Sequence, residues 1–187
     1  MRIRLAEDLQ FDSIVDGEGL RTVIWTQGCI HNCPGCHNPK THSFKGGFLV
    51  KVSEIKNQID NLKIQDGLTF SGGEPFCQVD ACLEIATHCQ KKGLNVWCYT
   101  GFTFEELMEM SKENSNILKF LENIDVLVDG RFILEEKSLN LKFRGSRNQR
   151  IIDVKKSLKR KKSVLIPKYI EEKHEQNLAV RDKYMFV

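Results

Sequence analysis

TQGCIHNCPGCHNP, Thr26 to Pro39, places Cys29, Cys33 and Cys36 in one short loop at the spacing C-x3-C-x2-C. Thiolates are soft ligands that select zinc, copper(I) or iron–sulfur clusters. Three of them on one loop hold three corners of a cubane cluster and leave the fourth iron open to a small molecule. Other readings compete at this point. Cys33-Pro34-Gly35-Cys36-His37 also fits the haem c attachment pattern, and Cys33 to Cys36 fits a thioredoxin-type C-x-x-C. Three cysteines with His37 would also suit a structural zinc site.

The segment before the loop is Thr22-Val23-Ile24-Trp25-Thr26, β-branched and aromatic, which predicts a strand. A ligand loop at the C-terminal end of a parallel strand is where α/β folds place their sites. Gly67 to Phe70 predicts a second strand running into Ser71-Gly72-Gly73-Glu74-Pro75. Asp125 to Asp129 predicts a third, ending at Asp129-Gly130. In a parallel sheet these ends share one rim. Gly72-Gly73 lets backbone approach a ligand closely, and Glu74 adds a carboxylate suited to an ammonium group.

Helical spacing fills the intervals. Ser53 to Leu62 predicts a helix with Ser53 as N-cap. Val79 to Lys92 predicts another, ended by Gly93, with Cys82 and Cys89 on its apolar stripe as small buried hydrophobes. Cys98, in the strand Leu94 to Tyr99, and Cys77, just past the glycine pair, also read as structural. Thr103 to Glu106 is a capping box that opens a third helix, reaching to about Leu121 with a break. Ile3 to Phe11 reads as a first strand and Phe143 to Asp153 as a turn with a final strand. The alternation predicts an α/β fold with a parallel sheet. With too few units for a closed eight-fold barrel of at least ~200 residues, the expectation is a partial, open (β/α) barrel of about six units.

Of 187 residues, those from 1 to 150 carry 18 basic and 20 acidic side chains, and those from 151 to 187 carry 10 and 5. The expected organisation is therefore a domain over 1–154 and a basic C-terminal extension over 155–187, with Lys155 to Lys162 as solvated surface. The body is not basic, and no nucleic-acid partner is expected. Seven cysteines without a secretory segment point to a reducing compartment. No apolar run approaches the ~20 residues that span a membrane. The expectation is a soluble, cytoplasmic protein.

DGEGLR (16–21), the cysteine loop, GLTFSGGEP (67–75), YTGFTFEEL (99–107), DVLVDGRF (125–132) and FRGSRNQRIID (143–153) together resemble the radical S-adenosylmethionine (SAM) superfamily. Within it they resemble the activating proteins of anaerobic (class III) ribonucleoside-triphosphate reductases. The resemblance runs from about Asp12 to Asp153. It implies a 4Fe–4S cluster on Cys29, Cys33 and Cys36, whose open iron chelates the SAM amino and carboxylate groups. It places Gly72, Gly73 and Glu74 at the methionyl ammonium, Gly35, Cys36 and His37 near the adenine, and Asp129 at the ribose or a cation. It implies an oxidoreductase: reductive SAM cleavage to a 5′-deoxyadenosyl radical that takes hydrogen from a glycine of the partner. Implied partners are the glycyl radical subunit of the reductase and a one-electron donor such as flavodoxin.

Many superfamily members carry an aromatic residue before the third cysteine, where this chain has Gly35. The adenine contact then falls to His37 or another aromatic. Three alternatives share part of the pattern: an activase of the pyruvate formate-lyase type, a small-molecule radical SAM enzyme, and a non-enzymatic zinc-binding module.

Overall fold

The computed structural model describes residues 1–170. Its strands are β1 (Arg2–Leu5), β2 (Gln10–Ser13), β3 (Arg21–Thr26), β4 (Phe48–Lys51), β5 (Gly67–Gly72), β6 (Asn95–Tyr99), β7 (Val126–Asp129) and β8 (Arg150–Asp153). Its helices are α1 (Val52–Asp60), α2 (Val79–Lys91), α3 (Phe104–Met110), α4 (Ser115–Glu122) and α5 (Val154–Arg160). The strands form one open sheet in the order β4-β1-β3-β5-β6-β7-β8, with β2 beside β3. β3, β5, β6 and β7 are parallel, in the register Thr26↔Gly72, Phe70↔Cys98 and Tyr99↔Val128. The ends are antiparallel: β1 on β3, β4 on β1 and β8 on β7. This is the expected incomplete α/β barrel. Its parallel part holds four strands, fewer than the six or so units anticipated, because both margins are built from antiparallel additions.

Alternation along the strands divides the core in two. Ile24, Leu68, Phe70, Val96, Cys98, Leu127 and Ile152 face the helices and pack with Ile55, Ile85 and Phe120. Trp97, Val126, Val128 and Ile151 face the concave side. There Arg21, 1% exposed, fills the interior with its guanidinium 5.4 Å from the Trp97 ring centre. It donates to Thr69 Oγ1, to the carbonyls of Leu68, Asn95 and Glu18, and to Asn95 Oδ1. Burial pushes Arg21 down to about 10. The DGEGLR block, one of the segments that carry the family resemblance, is thus the plug at the N-terminal end of the barrel.

Several local expectations hold. Cys82, Cys89 and Cys98 are fully buried, and Gly93 follows α2 with a positive φ of 75°. Thr103 and Glu106 make both bonds of the capping box. Thr103→Ala is expected to cost about 0.5–2 kcal/mol, a fall in Tm of roughly 1–8 °C. An unchanged melting curve would contradict the role of that cap. Others differ. Residues 3–11 form two strands, not one. α1 begins at Val52 with Lys51 as N-cap, because β4 runs directly into it and Val52 is buried.

Residues 155–170 dock on the barrel. The basic run forms most of α5, with Lys155, Lys156, Lys159 and Arg160 exposed and Ser157 buried. Beyond it the Asp153 amide donates to the Val164 carbonyl and the Ile166 amide to the Ile151 carbonyl, at 2.9 and 3.0 Å. Tyr169 then packs edge-on to Trp97 and Phe143. The closing Tyr184 to Val187 stretch lies outside the described residues.

Candidate active site

The rim expected from sequence is present: β3, β5, β6 and β7 end side by side. The cysteine loop leaves β3 at Thr26 and is tied back along its length. Gly28 and Cys29 amides donate to Thr41 and His42 carbonyls at 2.8 and 3.0 Å. The Gln27 amide group donates to the carbonyls of Lys40 and Ser43. The glycine turn lies against the start of this loop, with Gly73 N–H to Thr26 O at 2.7 Å and Glu74 N–H to Gly28 O at 2.8 Å. A Cβ on Gly73 would lie 2.3 Å from the Gly28 carbonyl oxygen. Only glycine permits that approach.

Cys29, Cys33 and Cys36 are free and half-buried. Burial pushes the Cys29 thiol up, and the nearby backbone of His31 and Asn32 opposes that shift. The Asn38 N–H lies 3.4 Å from Cys36 Sγ. Donors aimed at sulfur stabilise thiolate ligands and tune the potential of an iron–sulfur cluster. Three free thiols on one loop are a soft donor set that fits three corners of a 4Fe–4S cluster.

Gly35 has a positive φ of 71°, and a Cβ there would lie 2.8 Å from Leu134 Cδ1. The positive φ strains any side chain at position 35, and Leu134 and Phe132 of the segment after β7 lie beside it. Close by, Phe132 lies 5.1 Å from the exposed His37 ring. Phe132 was not singled out from sequence, although it closes the DVLVDGRF block.

Glu74 and Asp129 both reach the rim, but their carboxylates are engaged by the protein. Glu74 is 0% exposed. It accepts from the Phe76 and Gly101 amides, from the Thr100 hydroxyl and from His31 Nε2, all at 2.9–3.0 Å. Those donors occupy the roughly four acceptor positions of a carboxylate. Asp129 shares the helix-facing side of β7 with Leu127. It accepts from the Phe104 amide at the start of α3 and from Arg150, which also pairs with Glu105. Burial pushes the Asp129 carboxyl up, and Arg150 opposes that.

Comparison with known proteins agrees with this geometry. A model described as a 4Fe-4S single cluster domain matches residues 15–152. The anaerobic ribonucleoside-triphosphate reductase-activating protein of Haemophilus influenzae is 36% identical over 146 residues, 73% of this chain and 89% of that one. This chain belongs to that family. Its similarity extends to the activating protein of Escherichia coli K12, 33% identical over 144 residues, 73% of this chain and 90% of that one. The activating protein of phage T4 is 31% identical over 145 residues, 73% and 86% of the two chains. The cysteine loop, the glycine turn and the Asp129 rim all fall within the matched span of this family member.

Proposed function

We propose that this protein activates an anaerobic ribonucleoside-triphosphate reductase, as a radical SAM enzyme that installs a glycyl radical in its partner. The observation that carries this reading is the loop of three free thiols at the end of β3, with the Asn38 N–H turned to Cys36 Sγ and the glycine turn bonded alongside. Cys29, Cys33 and Cys36 hold the cluster. Gly72 and Gly73 offer backbone to the methionyl ammonium, with the Glu74 charge directly behind them. Gly35, Cys36 and His37 flank the adenine, with the His37–Phe132 pair as the aromatic surface. Asp129 sits on the ribose side, its carboxylate shared with Arg150.

When bound, the cluster supplies one electron for reductive cleavage of SAM, the source of the hydrogen-abstracting radical. The polypeptide contributes placement. The cysteine loop fixes one end of the substrate, the glycine turn the other, and the open side of the sheet admits a loop of a second protein. No acid–base pair is assigned, since both rim carboxylates already serve the fold.

The reading includes a glycyl radical subunit as partner, a one-electron donor such as flavodoxin, no nucleic-acid partner, and a cytoplasmic location. Free cysteines throughout support a reducing compartment. No helix of the described residues is long and apolar enough to cross a membrane. We also retain 1–154 as the radical SAM domain and 155–187 as an extension. The family match, which ends at residue 152, supports that boundary.

The test is anaerobic reconstitution with iron and sulfide, then reduction with dithionite in the presence of SAM. A brown protein that releases 5′-deoxyadenosine and methionine is the expected result. A colourless protein holding one tight zinc ion would overturn the reading.

A further inference from the structure

His31 stands between Cys29 and Cys33, yet its side chain is turned inward and is only 3% exposed. Its Nε2 lies 2.9 Å from Glu74 Oε2. The ring packs edge-on to Phe102, centroids 4.6 Å apart. A Cβ on Gly101 would lie 2.3 Å from His31 Cδ2, so the chain after β6 is shaped around this ring. Glu74 is held on its other sides by Thr100, Gly101 and Phe76, as described. One buried carboxylate therefore joins three rim segments: the cysteine loop through His31, the glycine turn through its own backbone, and the turn after β6 through Thr100 and Gly101. His31 Nδ1 is buried with no partner among the described residues. That fits a ring placed beside a group the polypeptide alone does not carry.

We infer that His31 and Glu74 form a buried pin that locks the Cys29–Cys33 arc to the glycine turn, so that both act as positioning residues for the cluster and for SAM. The inference rests on the function proposed above and assigns Glu74 a role behind the ligand in place of a direct contact. Its physical basis is the geometry of the rim. The two halves of the site sit on different strands, 43 residues apart in sequence at this bond. Their relative placement decides whether the cluster and the methionyl group meet. Partners that orient ligands from behind typically change metal affinity or activity by 10- to 100-fold when removed.

The test uses the full chain, reconstituted anaerobically with iron and sulfide. His31→Phe keeps a ring against Phe102 and removes the donor to Glu74. His31→Gln keeps an N–H near the position of Nε2. Iron content, SAM affinity and the change that SAM produces in the EPR spectrum of the reduced cluster are measured for each. The wild type and His31→Gln are expected to bind SAM alike and to show the same spectral change. His31→Phe is expected to bind SAM about 10- to 100-fold more weakly, with an altered spectrum. A His31→Phe protein with wild-type affinity and spectrum overturns the inference. So does a His31→Gln protein as impaired as His31→Phe. If His31→Phe fails to fold, as judged by circular dichroism of the apoprotein, His31→Leu, which also removes the donor to Glu74, supplies the same comparison. Weaker SAM binding then supports the pin, and unchanged binding overturns it. A wild-type chain that takes up no cluster would instead refute the proposed function on which the inference stands.

Discussion

Cys33→Ala is expected to abolish SAM cleavage while leaving the fold in place. Cys33 is half-buried on a loop outside the core, so truncating it opens no cavity. Substitutions of that kind usually change stability by no more than about 0.5 kcal/mol. The loop around it is held by bonds that the change leaves untouched: the Gly28 and Cys29 amides to Thr41 and His42, and the Cys36 amide to the Cys33 carbonyl, a backbone contact that alanine keeps. What is lost is one of three thiolates. Iron bound on reconstitution should fall to background, and SAM cleavage by more than about 100-fold, beyond the loss caused by removing an outer partner. The thermal melt of the apoprotein should match the wild type. Retained cleavage would reject Cys33 as a ligand, and a collapsed melt would show a structural role.

Truncation after Val154 is expected to have the largest effect on stability. The concave face of the sheet presents Trp97, Val126, Val128 and Ile151, and Ile166 and Tyr169 pack over them together with Tyr99 and Phe143. Cutting at 154 removes Ile166 and Tyr169 from that cover and leaves β8 as a bare edge. It also removes the hydrogen bonds from the Asp153 amide to Val164 and from the Ile166 amide to Ile151, and the Tyr169 contacts to Trp97 and Phe143. Two hydrogen bonds at ~1 kcal/mol, two aromatic contacts and the re-exposed apolar area sum to about 3–5 kcal/mol. For a chain of this size that is a fall in Tm of roughly 6–20 °C. The reference is a chain truncated after Ile170, so that the contribution of residues 155–170 is read alone. Equal melting of the two truncated forms would show that the docked segment adds nothing.

Much of this architecture was legible in the residues. β3, β5 and β7 announce themselves as short apolar runs, each ending in a motif, and the parallel arrangement puts those motifs on one rim. The α2 stripe, Gly93 and the Thr103–Glu106 box are local signals, and each appears in the structure. What could not be read is non-local. β4 is mostly exposed along its length, carries no clear alternation, and becomes a strand by pairing with β1, some 45 residues earlier in the chain. Arg21 closes the DGEGLR block with no local sign of burial, and only the fold shows it beneath Trp97. Glu74 and Asp129 are acidic residues at strand ends, a pattern that suggests ligands. Their partners His31, Thr100 and Arg150 come from other segments, and only their arrival reveals that the carboxylates also hold the rim together. His31 is the instructive case: its place in the cysteine loop suggested nothing, and its burial against Glu74 changes how the whole loop is understood.

The central claim is that this site generates a radical for delivery to another protein. The most direct test mixes the reconstituted, dithionite-reduced protein with SAM and an anaerobic ribonucleoside-triphosphate reductase, and records the EPR spectrum. The account predicts a glycyl-radical doublet on the reductase that requires all three components. SAM cleavage that proceeds with no doublet would contradict it.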